Sequence, residues 1–154
     1  MKLFFGVLAA VGVTAHGAVG QGIAHVAVNG LQSPAVADAQ ARVVYFNPFQ
    51  LRALGGDLAL FIVAHEEAHL LLGHHLPKDE ADSLRLRAME EEADCAAAAR
   101  LSTVRGWNRH AVTRVFDLIG DVRLDGEWRT GAERAASIRA CALGQATVRL
   151  ASGG

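Results

Sequence analysis

The sequence predicts an α+β domain, a mainly helical core beside a small sheet of two or three strands, and three observations carry that expectation. Two short runs that suit strands, Ile23 to Val28 and Arg42 to Phe46, both precede residue 47. Four segments with apolar side chains at helical spacing follow residue 57. The most apolar of them, Leu58 to Leu72, holds a polar cluster at its centre. A chain of 154 residues, 51% hydrophobic and 20% charged, can fill one core but not two, so residues 21 to 154 read as a single domain.

Residues 1 to 20 read as a secretory signal: Lys2 is followed by an apolar run from Leu3 to Ala15 and then by small residues up to Gly20. That run is too short to span a bilayer, and cleavage is expected after Ala15, Gly17 or Gly20, with an uncleaved membrane tether as the alternative. His16 leaves with it. Beyond it, Ile23-Ala24-His25-Val26-Ala27-Val28 alternates as a strand does, and Asn29-Gly30 ends it in a turn. Residues 31 to 41 are small and surround Pro34, which reads as a loop. Arg42 to Phe46 is β-branched and aromatic, a second strand stopped by Asn47-Pro48, and the two strands are expected to pair as a hairpin that packs on the helices.

Phe49 to Leu54 reads as a short helical turn, broken by Gly55-Gly56. Asp57 is the expected N-cap of the helix Leu58 to Leu72, which Gly73 ends and Pro77 keeps from resuming. A second long helix is expected from Glu80 to Thr103, with Leu86, Glu90, Ala93, Asp94, Ala97 and Leu101 on one face. Ala96 to Ala99 suits a close contact between two helix backbones. Asn108 to Ile119 presents Val112, Val115, Phe116 and Ile119 as a third helix. Gly120 to Thr130 is charged and reads as a surface loop, and Gly131 to Leu143 forms a fourth helix with Ala135, Ile138 and Ala142 inward.

The polar cluster is His65-Glu66-Glu67-Ala68-His69. Residues four apart stack on one helix face, so His65 and His69 can aim two imidazole nitrogens at one metal ion. Glu66, about 100° further round, can reach a water at that ion without binding the ion itself. With seven histidines in the chain, such a pattern arises by chance in roughly one comparable sequence in sixty. Its setting among Leu58, Leu60, Phe61, Ile62, Val63, Leu70, Leu71 and Leu72 adds weight, because burying these polar groups is costly unless they are paired or bind a metal.

A catalytic zinc site needs one further protein ligand. Glu90 is the first candidate, since Asp94 lies one turn on and can hold the free nitrogen of a ligating histidine. His75 is the second, although the chain-bending glycine such a site needs comes one residue late, at Gly73 rather than Leu72. Cys95 is the third, but it lies about 140° round the helix from Glu90. Glu91 and Glu92 read as a solvated stripe, and His25, His74 and His110 as surface or capping residues.

The two halves, His65-Glu66-x-x-His69 and Glu90-x-x-Ala93-Asp94, resemble the gluzincin metallopeptidases, in particular the HtpX-type and related minimal peptidases that share the second motif. The likeness spans residues 43 to 101 and includes a strand ending in Asn47-Pro48 before the metal helix. It implies a zincin-like core, one Zn(2+) per chain on His65, His69 and Glu90, Glu66 as catalytic base and Asp94 behind a ligand. It also implies a peptide or protein substrate docked along a strand at the cleft, for which Val43 to Phe46 is the expected edge. The chain departs from that family in having Trp128 to Gly131 ahead of Arg134 where a His-Pro often stands, and in having no run after residue 20 long enough to span a membrane. A shorter likeness, Glu90-x-Glu92-Ala93, is to the ImmA-type peptidases, which are cytoplasmic, and the leader argues against them.

A net charge of −1, or −2 once Lys2 is removed with the leader, provides no basic field for nucleic acid. Cys95 and Cys141 are the only cysteines, and in an exported chain they are expected to form a disulfide closing a loop of about 47 residues. Together these readings predict an exported zinc endopeptidase, with a secreted metal-binding or chaperone-like module on the same fold as the alternative. His110, Tyr45 and Arg134 are the candidate donors to an oxyanion, and nothing in the sequence separates them.

Overall fold

In a computed structural model the described residues are 22–74, 83–122 and 129–141. His75, the start of the second long helix, Trp128, Ala142 and residues 1–21, which include the expected leader, lie outside them. Among the described residues the chain forms a three-stranded mixed sheet and five helices, the α+β arrangement expected. No described helix is long and apolar enough to cross a membrane.

Val43-Val44-Tyr45-Phe46 supplies the branched and aromatic side chains that suit a pleated surface, and it forms strand β3 (Val43–Phe46) at the centre of the sheet. β1 (Ala24–Ala27) pairs with it in parallel, Ala24 opposite Val43, and β2 (Ala35–Asp38) pairs antiparallel on its other side, Ala37 opposite Val44. This corrects the expected hairpin of the first and second runs. The hairpin is made by β2, within the stretch read as loop, and it turns through Arg42 at φ 53° with Ala41 N–H donating to Asp38 Oδ1. Alanines carry little strand propensity of their own, so β2 owes its form to the open edge of β3 and to burial of Ala35 with Val44 and Leu70. The central place of β3, paired on both sides, also removes it as the expected docking edge; the edge strands are β1 and β2.

Asn47 ends β3 and caps the next element. Its Oδ1 accepts from the N–H groups of Phe49 and Gln50 to start α1 (Pro48–Leu54), while its Nδ2 donates to the carbonyls of Asn29 and Leu31.

α2 (Gly56–Leu72) is the central helix, and it begins earlier than expected, with Gly55 rather than Asp57 at the cap. Asp57 lies in the first turn, where its carboxylate accepts from Asn108 N–H and its carbonyl from Trp107 Nε1, tying the start of α4 (Arg109–Ile119) to that of α2. Gly73, at φ 73°, closes the helix as expected. Leu58, Phe61 and Ala64 pack with Ala97, Ala98 and Leu101 of α3 (Ser83–Leu101), Val112 and Phe116 of α4, and Ala135 and Ile138 of α5 (Gly131–Cys141). Ile62 touches both this core and the smaller one under the sheet. Gly131 opens α5 against α4, and a Cβ there would meet Phe116 O at 2.4 Å, so only glycine permits the approach.

Cys95 and Cys141 are bonded, with Cα atoms 5.2 Å apart, joining α3 to α5. Thiol labelling of unreduced, denatured protein is expected to find no free thiol, and reduction to lower stability by roughly 4 kcal/mol on the chain-entropy account. Two labelled cysteines would contradict this.

Candidate metal centre

Helical spacing puts His65 and His69 one turn apart on α2, and both direct Nε2 to one point, the two nitrogens lying 3.0 Å from each other. The small side chains of Ala97 and Ala98 let α3 approach, and one and two turns back along it stand Asp94 and Glu90. Glu90 places Oε2 3.1 Å from His65 Nε2 and Oε1 3.5 Å from His69 Nε2. Donors held about 2.0–2.1 Å from a tetrahedral zinc lie about 3.3 Å from one another. The spacings of 3.0, 3.1 and 3.5 Å bracket that distance, and two imidazoles with a carboxylate are a donor set zinc accepts.

The residues behind the donors show the same preference for positive charge between them. His65 Nδ1 lies 2.8 Å from Asp94 Oδ1, so the imidazole is gripped from both sides. Burial opposes a charge on His65, but its bonds to Asp94 and Glu90 prevail and raise its pKa to about 9. Burial would likewise raise Glu90, yet the hydrogen bonds from His65 and His69 hold its carboxyl well below the usual carboxylate range. Asp94 is wholly buried, and the charge of Arg134 with the hydrogen bond from His65 overrides its burial and keeps it ionised.

Asp94 has two further partners. Arg129 Nη2 donates to its Oδ2, and Arg134 donates through Nε to Oδ2 at 3.1 Å and through Nη2 to Oδ1 at 2.7 Å. Arg134 also lies over the Phe116 ring, its guanidinium carbon 4.6 Å from the centroid. Arg129 is only 2% exposed, which corrects the surface reading at that residue; Asp121 and Val122 are exposed as expected, and residues 123–128 lie outside the described ones.

Glu66 is half-buried and does not join the donors: its Oε2 accepts from Ala37 N–H of β2 at 2.8 Å. Glu67 is buried against His25 Nε2, at 2.6 Å, and Arg100, so His25, exposed as expected, is also a partner of the central helix. His74 is the larger correction. Its Nδ1 is 3.0 Å from His69 Nδ1 and its Nε2 3.2 Å from Glu92 Oε2, which also gives Glu92 a partner. Burial holds the His74 pKa below its ordinary value.

Of the other candidates, Cys95 is in the disulfide and is no ligand. The three proposed oxyanion donors are not at the centre. Arg134 is committed to Asp94. Tyr45 lies on the sheet face opposite Val44, the residue that packs with Leu70 of α2. His110 follows Asn108, which is held by Asp57, eight residues or about 12 Å of helix before His65.

No family model, curated protein or solved structure matches the chain, so its likeness to gluzincins rests on the two sequence motifs alone.

Asp94→Ala is expected to lower stability by about 3–5 kcal/mol, since it leaves two buried guanidinium groups without their carboxylate. Denaturant unfolding measures this. A variant as stable as the wild type would mean that Arg129 and Arg134 reach water on their own.

Proposed function

We propose that the chain is an exported zinc-dependent endopeptidase, the alternative to turnover being a metal-binding module with the same site. The observation that carries this reading is the division of labour along one helical turn. His65 and His69 converge with Glu90 on a point fit for a metal, whereas Glu66, the next residue, turns away to the edge of the sheet. A carboxylate next to the ligands yet outside their set is what a general base requires, whereas a module that only stored metal would use it for no more than the bond to β2.

His65, His69 and Glu90 would hold the zinc, Asp94 fixing the His65 ring by its Nδ1. Zinc bound there supplies a Lewis acid for the scissile carbonyl and acidifies water. The outer edge of β2 is open to an extended peptide, and Ala37 N–H, which faces Glu66 instead of β3, is a donor such a peptide could take over. Glu66 then has its Oε2 available for a proton. It accepts one from the attacking water and returns it to the leaving amine nitrogen, a general acid–base role worth on the order of 10² to 10⁴ in rate. Export rests on residues 1 to 20, whose pattern is that of a leader.

Purified protein is expected to carry about one zinc per chain, lost in His65→Ala, His69→Ala or Glu90→Gln. Since the His65 pKa of about 9 leaves that imidazole protonated in the metal-free chain at neutral pH, zinc uptake at pH 7.5 should release a proton, and affinity should rise with pH up to that value. Calorimetry in buffers of different ionisation enthalpy detects the release, and a heat independent of buffer would refute it. Glu66→Gln should keep zinc and fold while casein cleavage falls by roughly 10²- to 10⁴-fold. Undiminished cleavage would sink the peptidase reading, and zinc with no cleavage in either protein would favour the binding module.

A further inference from the structure

The sequence Leu72-Gly73-His74 closes α2 in a way that gives His74 a place in the site. Gly73 takes the left-handed conformation at φ 73°, and His74 N–H donates back to His69 O at 3.0 Å. In this kind of helix end the residue after the left-handed one folds its side chain onto the residue whose carbonyl it caps. Here both are histidines, their ring centroids 5.1 Å apart, and the His74 side chain is 7% exposed.

The two Nδ1 atoms lie 3.0 Å apart, a separation that requires one proton between them. If His69 Nε2 keeps its lone pair for a metal, the proton of neutral His69 sits on Nδ1. His69 therefore donates and His74 Nδ1 accepts. The proton of neutral His74 is then on Nε2, which faces Glu92 Oε2 at 3.2 Å. An ionised carboxylate can only accept, so Glu92 selects that tautomer.

We propose that His74 is a positioning residue for the metal centre, its Nδ1 fixing the ring and tautomer of His69 while Glu92 fixes the tautomer of His74. This rests on the metal reading given above. The centre would thus have two unlike supports. His65 leans on Asp94, wholly buried between two arginines, and His69 leans on a neutral imidazole whose own partner, Glu92, has a side chain 65% exposed.

The test is zinc affinity by chelator competition on the full chain, for wild type, His74→Ala, His74→Asn, Glu92→Ala and His65→Ala. His74→Ala should bind zinc roughly 10- to 100-fold more weakly. His74→Asn keeps an acceptor near the Nδ1 position and should stay close to wild type, with Glu92→Ala showing a smaller loss than His74→Ala. Nitrogen-15 correlation spectra of the zinc-loaded wild type should show the Nδ1–H form of His69 and the Nε2–H form of His74, a readout that packing alone does not set. Wild-type affinity in His74→Ala would overturn the proposal, as would a His74→Asn as weak as the alanine variant. If His74→Ala fails to fold, the tautomers of the wild type decide, and a proton on His74 Nδ1 overturns it. Loss of zinc in His65→Ala with none in His74→Ala defeats the positioning role alone. Absence of zinc binding by the wild type defeats both it and the metal reading.

Discussion

The carboxylate of Asp94 is the contact on which the remaining arrangement depends. It stands on α3, receives His65 of α2, and receives Arg129 from just before α5 and Arg134 from its first turn, so three helices meet on one wholly buried side chain. A lone carboxylate at that depth would protonate instead of staying charged. Two guanidinium groups and an imidazole keep it ionised, and it in turn permits two arginines to lie within a core of alanine, phenylalanine and isoleucine. An uncompensated charge in such a place costs about 3–5 kcal/mol, against a total stability of about 5–15 kcal/mol for an ordinary domain. The cluster is thus both the support of a candidate ligand and a condition for folding.

The same rule runs along α2. Its polar residues are surrounded by apolar ones, and each has a partner from another part of the chain. Glu66 has Ala37 N–H of β2, Glu67 has His25 of β1 and Arg100 of α3, and His69 has Glu90 and His74. The burial that makes these groups expensive to leave bare is what draws three elements, β1, β2 and α3, around one helix. A cluster built in this manner is stiff, because moving any of these side chains breaks a buried hydrogen bond.

The sheet enters through Glu66. Its bond to Ala37 N–H exists only because β2 has joined the outer side of β3 and turned that N–H away from its neighbour. The place of Glu66 and the topology are therefore linked: with β3 at the edge, as the likeness to gluzincins implied, Glu66 would have faced a different backbone.

Local pattern alone determined much of this protein. The apolar run with its glycine stop made α2, the four-residue spacing put His65 over His69, and the register of α3 put Glu90 and Asp94 on the face that meets them. These are periodicities, and a helix obeys them wherever it packs. The place of His74 was also within reach, since a left-handed Gly73 dictates which residue folds back on His69. Only the tertiary structure decided the rest. Ala35 to Asp38 became a strand because a neighbour offered an open edge, and Asp57 left its cap to hold Asn108. Arg129 and Arg134 left the reach of solvent because a carboxylate 35 and 40 residues away lay in the core. Such contacts join positions with no fixed spacing between them, and their energy comes from desolvation, which has no value until the chain has closed around the pair.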